Sequence, residues 1–356
     1  MSYRFTNRET NIVKGFAILF MYVHHFYLDP SRYKEYDILF LLGQERVTKL
    51  AVFFKICVAI FMFLSGYGMY VSAIRKEKST LWKAMINYSV VRYVKLIFPF
   101  FFIFWLSQLI FYPTGRYLTI YGTGTRSLLY VLIDMFGFAD LLHTPTFLGT
   151  WWYIGLISLV IWSFPILFKA FYKYPRIFSI GVLMACCIPS IKEINYIRWL
   201  PVFVMGMIFA RYKVFEKIAF WIGNQKKSIQ FIIFIIGVLL LIGAIYFRMI
   251  PKIPVGIKDL IATTIWISFI AIFFVKIRGL NKIMEALGIH SMTMFLTHTF
   301  IRTTYFQDFS YGFYYAGINL IVFTIVTYMI ALGIDLFRKQ IGYDRFINKV
   351  AKLIMR

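Results

Sequence analysis

Long apolar runs divide this chain, and short basic turns separate them. Ten of these runs are predicted as helical spans, at about 11–28, 50–73, 93–112, 149–171, 177–190, 199–212, 229–248, 257–277, 289–303 and 313–336. A helix needs roughly 20 residues to cross the hydrocarbon core of a bilayer. Only helices and closed barrels satisfy their backbone groups there. Spans five, six and nine are short by that measure, and 127–138 reads as a short amphipathic or re-entrant helix. Hydrophobic residues make up 60% of the 356 positions and charged residues only 15%, more apolar surface than a soluble domain of this size can hide. The expected fold class is all-α: a polytopic integral membrane protein of about ten transmembrane helices.

The net charge of +24 does not point to nucleic acid, because the basic residues sit in the turns between apolar runs and not on one face or tail. With the N-terminus inside, 26 Lys and Arg fall on the cytoplasmic side and 12 outside, with Lys55 within a span. That bias predicts N-in and C-in. Residues 1–356 are read as one membrane-embedded domain, with no linker, internal repeat or appended soluble part. Cys57, Cys186 and Cys187 lie in apolar stretches and form no C-x-x-C pattern. The first run leads into His24-His25-Phe26-Tyr27, not into a small-residue cleavage site, and is expected to be retained.

Within the first run, Lys14 and His25 stand in a K-x10-H spacing. Eleven helical residues turn roughly 1,100°, close to three whole turns, and rise about 16 Å. The two side chains share one face, half a bilayer apart, while His24 points about 100° away. Ionisable groups inside a membrane helix are costly and usually face a polar cavity. One reading is a cation for a phosphate or carbonyl at one end of a long ligand and a base at the other. The other is a snorkelling lysine and an interfacial histidine.

Further candidates follow along the chain. Arg92 and Lys95 are i, i+3 neighbours at the cytoplasmic mouth of the third span, ahead of Pro99. They suit a phosphorylated ligand or ordinary positive-inside flanking. Ser65, Gly66 and Gly68 lighten the second span, for helix packing or for a channel lining. Trp151, Trp152 and Tyr153 open the fourth span, as an aromatic belt or as a stacking surface for a sugar. His298 lies within a short span, as a site residue or a structural hydrogen-bonding group. There is no Walker-type loop, G-x-S-x-G, H-E-x-x-H or His/Cys cluster, and no metal is expected.

Taken in order, these stretches resemble the acyltransferase-3 family of integral membrane acyltransferases. Asn11 to His25 is similar to the family's R-x10-H helix, and Phe61-Met-Phe-Leu-Ser65-Gly66-Tyr67 to its F-x-x-S-G-[FY] stretch. Arg92-x-x-Lys95-x-x-x-Pro99 resembles R-x-x-R-I-x-P. The Trp151-Trp152-Tyr153 and Gly288-x-x-Ser291…His298 segments resemble the later W-[FY] and G-x-x-S…Y-L-x-H elements. The resemblance implies a ten-helix enzyme that takes an acyl group, often acetyl, from cytoplasmic acyl-CoA. The acceptor is a hydroxyl of a cell-surface glycan or lipid-linked sugar at the outer face, and the setting is a bacterial cytoplasmic membrane. The family's catalytic His maps to His25 and its paired Arg to Lys14. Arg92, Lys95 and Ser65 would serve the acyl-CoA, and Trp151, Trp152, Tyr153 and His298 the acceptor. Lys14 and Lys95 stand where the family has Arg, which keeps the charge and loses the planar bidentate fork.

Two other classes compete. A glycosyltransferase using a lipid-linked sugar would use carboxylates in the first outer loop, where Glu35 and Asp37 stand. A polyisoprenyl-lipid or small-solute transporter would show inverted repeats and broken helices in matching halves.

Overall fold

The computed structural model describes residues 4–74 and 82–355. Arg75, Lys76 and Lys78, counted above in a cytoplasmic turn, lie outside the described residues. Among the described residues the regular structure is helical, and one isolated bridge joins Leu39 to Tyr315. The first half of the chain contains α1 (Asn7–Tyr27), α2 (Gln44–Phe53), α3 (Ile56–Ile74), α4 (Trp82–Ile110), α5 (Arg116–Tyr121), α6 (Thr125–Met135), α7 (Trp152–Lys173) and α8 (Pro175–Ala185). The second half contains α9 (Asn195–Tyr212), α10 (Val214–Gly223), α11 (Lys227–Met249), α12 (Val255–Ile272), α13 (Leu280–Ile289), α14 (Ser291–Thr299), α15 (Gln307–Tyr311), α16 (Ala316–Gln340) and α17 (Tyr343–Ile354).

Each of the ten apolar runs contains helix, and among the described residues six helices are long and apolar enough to cross a membrane. These are Gln44–Ile74, Trp82–Ile110, Gly149–Lys173, Lys227–Met249, Val255–Lys276 and Ala316–Gln340. The other four fall short for physical reasons. α8 has 11 residues and α14 has nine. α1 and α9 have 21 and 18, but Asn11, Lys14, His24 and His25 dilute the first, and Arg198 and Arg211 the second. The most apolar helix, α11, has a mean hydropathy of 2.7 with 11% of its span buried inside the protein. α16 follows at 2.2 and 17%. Helices so apolar and so little covered need a lipid surround. The chain is an integral membrane protein.

α1 runs through the bundle, touching α2, α3, α12, α13, α14 and α16. A capping box starts it: Thr6 Oγ1 accepts from Arg8 N–H at 3.2 Å, and Thr6 N–H donates to Glu9 Oε2 at 2.8 Å. Such a cap contributes about 1 kcal/mol and fixes the first turn, hence the register of Lys14. Two glycine pairs then set the walls. A Cβ at Gly15 would overlap the Met284 carbonyl, and one at Gly288 the Asn11 carbonyl, so α1 and α13 meet backbone to backbone. Gly66 and Gly206 do the same for α3 and α9, against the carbonyls of Phe203 and Phe63. In lipid, where burial drives helices together little, such close approach is a main source of association.

Candidate active site

A single cavity of about 1610 Å³ follows α1 from Arg4, before its first turn, to Leu28 and Arg32, beyond its last. Ordinary small-molecule pockets hold roughly 300–1,000 Å³, so this space suits a long ligand or two ligands end to end. Lys14 and His25 both line it, as the eleven-residue spacing requires. α3 supplies Ser65, α4 supplies Arg92 and Lys95, and α7 supplies Trp152 and Tyr153.

Charge divides the cavity. Arg4, Lys14, Arg92, Lys95 and Lys213 gather at the Lys14 end. Arg92 is held without a carboxylate: Nε donates to the Tyr88 hydroxyl at 2.8 Å and Nη2 to Ser72 Oγ at 2.9 Å. Among the described lining residues the acidic side chain is Glu216, which accepts from Phe5 N–H at 3.2 Å. A group of cations with one nearby acid has the charge to bind phosphates.

Three histidines meet at the other end, and their hydrogen bonds tell them apart. His24 Nδ1–H donates to the Ala51 carbonyl at 2.7 Å. His298 Nδ1–H donates to the Phe295 carbonyl at 2.6 Å, and its Nε2 sits 3.3 Å from Thr299 Oγ1. Carbonyls only accept, so these two tautomers follow. The His25 ring makes no hydrogen bond among the described residues. It stands with its centroid 5.2 Å from that of His24 and 5.0 Å from that of His298. His24 and His25 both line the cavity, and of the two His25 has both ring nitrogens available among the described residues.

Not every expected residue lies on the cavity wall. Trp151 is 3% exposed, gives its indole N–H to the Leu296 carbonyl at 3.1 Å, and stands edge-on to Phe100. It holds α7 against α14 and does not line the cavity, so the expected aromatic surface reduces to Trp152 and Tyr153. His298 lies behind His25 and not in the lining. Within Ser65-Gly66 both readings hold, one residue each: Ser65 faces the cavity, and Gly66 meets α9. Glu35 and Asp37 are absent from the lining, which removes the support for the lipid-sugar glycosyltransferase.

Three cations escaped the sequence reading. Arg32 lines the His25 end and donates from Nη1 to the His25 carbonyl at 2.6 Å. Lys55, placed only within a span by the sequence, lines it too. Arg302 sits in a π-helical turn, Phe300–Thr304, that continues α14. It is 6% exposed, reaches the Tyr311 hydroxyl at 3.3 Å through Nη1, and leaves Nε without a partner among the described residues. π-turns inside α-helices recur at functional sites. An arginine four residues after His298 in an apolar run was the available signal.

The model of the acyltransferase-3 family, described as an acyltransferase domain, matches residues 7–337, nearly the whole chain. The chain belongs to the acyltransferase-3 family. No curated protein and no solved structure matches it significantly. The family match covers α1 through most of α16, so it takes in the cavity lining from Asn7 onward and leaves out Arg4, Phe5 and Thr6. The activity class is acyl transfer. Among the described residues no group of three His, Cys, Asp or Glu converges to hold a metal ion.

Proposed function

We propose that this acyltransferase moves an acyl group, acetyl in the simplest case, from acyl-CoA to a hydroxyl of a cell-surface glycan or lipid-linked sugar. Family membership supports the transfer itself. The donor reading rests on one observation: a single long cavity carries five cations at one end and an unencumbered imidazole, His25, at the other. CoA is anionic at its nucleotide end and reactive at the tip of a long arm. Lys14, Arg92 and Lys95 meet the phosphates with Ser65 along the arm, and the thioester reaches His25. In this reading the Lys14 end faces the cytoplasm and the His25 end the outer face.

His25 takes the proton of the acceptor hydroxyl as that oxygen attacks the thioester carbonyl. The new C–O bond forms, the C–S bond breaks, and the departing CoA sulfur receives the proton from His25. Trp152 and Tyr153 flank the acceptor. An acyl-His intermediate is the alternative course. The test is binding and turnover of radiolabelled acetyl-CoA by detergent-purified protein, wild type beside His25→Ala. Binding in both, with turnover reduced by about 10²–10⁴ in the variant, is the expected result. Full turnover in His25→Ala overturns the role of His25. Absence of binding, with succinyl-CoA tried as well, overturns the donor.

A further inference from the structure

Lys14, Arg92 and Lys95 at one end have a use in the reading above, but Arg32 and Lys55 at the far end do not. Both line the cavity beside the histidines, and both act electrostatically on His24 together with Arg248. No carboxylate among the described residues lines that end. The acid that acts on Lys55 is Asp259, which is fully buried and already bonded twice over. It accepts from Arg198 Nη2 at 2.9 Å and from Arg248 Nε at 2.7 Å. That triad keeps a net positive charge and cannot neutralise Lys55. Asp29, near Arg32, is exposed, accepts from Ser31 N–H, and does not line the cavity. Uncompensated cations on the wall of a cavity create a potential that draws in an anion.

From this we infer that the acceptor is an anionic sugar, its carboxylate or phosphate held by Lys55 and Arg32 while its hydroxyl lies against His25. The inference rests on the proposed direction of transfer, in which the donor occupies the Lys14 end and leaves the His25 end to the acceptor. An anion at that end has two possible sources, a uronic-type carboxylate or a phosphoryl-linked sugar, and the experiment separates them.

Lys55 reports on its own occupancy. Full-length purified protein is treated with pyridoxal 5′-phosphate and borohydride, and the label on Lys55 is followed by peptide mass spectrometry. The probes are methyl glucuronide, glucose 1-phosphate and neutral methyl glucoside. Either anionic sugar should slow labelling about tenfold when present at about ten times its Kd, and the neutral sugar should not. Protection by the glucuronide alone assigns a carboxylate, and by the sugar phosphate alone a phosphoryl group. In Arg32→Gln the protection should weaken. Unlabelled Lys55, or equal protection by the neutral sugar, overturns the inference. So does protection by succinyl-CoA but not acetyl-CoA, since Lys55 would then read the acyl chain. The readout needs no turnover, so failure of acetyl-CoA to bind sinks the donor reading and leaves this one standing.

Discussion

His25 and His298 lie ring against ring, centroids 5.0 Å apart and planes tilted by 34°, although α1 supplies one and α14 the other. The second imidazole is tied to its own helix through Phe295, while the first is not hydrogen-bonded. In the proposed reaction His298 is thus a fixed stop against which the ring of His25 packs.

His298→Ala should therefore lower turnover by about 10–100-fold, the scale of an ångström-level misplacement, with the Kd for acetyl-CoA unchanged. Adding His25→Ala should cost nothing beyond His25→Ala alone, because residues acting as a unit are not additive. Multiplying losses in the double variant would make His298 merely structural.

At the opposite end, Arg92→Ala should weaken acetyl-CoA binding about tenfold, with less dependence on salt than the wild type. Lys14→Arg should bind at least as tightly as the wild type, since the guanidinium restores a bidentate fork, and Lys14→Met should not. Equal affinities across the three Lys14 proteins would remove this residue from donor binding.

Gly66→Ala and Gly206→Ala each force a methyl group into a carbonyl of the facing helix. Each should cost about 1–3 kcal/mol, seen as a lower unfolding temperature in detergent. Gly68→Ala meets open space and should leave that temperature unchanged.

Asp259→Ala should destabilise the protein by about 3–5 kcal/mol, because two arginines, one of them buried, lose their shared counter-charge. Thermal unfolding checks this. A drop below about 1 kcal/mol would mean that water reaches the triad.

The lipid-facing helices were legible from the sequence because their signal is local: each is a sustained apolar run. Lys14 and His25 were legible for the same reason, since helix geometry alone puts residues eleven apart on one face. The count of about ten crossings goes beyond the six helices that length and composition support among the described residues. Hydropathy marks α8 and α14 as apolar, but where a helix stops depends on packing that no window sees. The site's far wall was out of reach for a related reason. Arg32 and Lys55 reach the lining beside the histidines from different elements, Arg302 stands behind it next to Tyr311, and nothing in the local pattern of each names its neighbours. Trp151 and Trp152 show the limit at single-residue scale. They are adjacent in sequence, yet one is a buried strut and the other a cavity wall.

The cavity also has to be tight to ions. α1 is 21 residues long, roughly 30 Å of helix and about the depth of the hydrocarbon layer. A polar space of that length is a leak path for protons and metal cations unless something bars them. The same uncompensated lysines and arginines that attract anionic ligands make the interior hostile to any free cation. In the proposed reaction, a chamber shared by both substrates thus carries its own barrier to cation leakage.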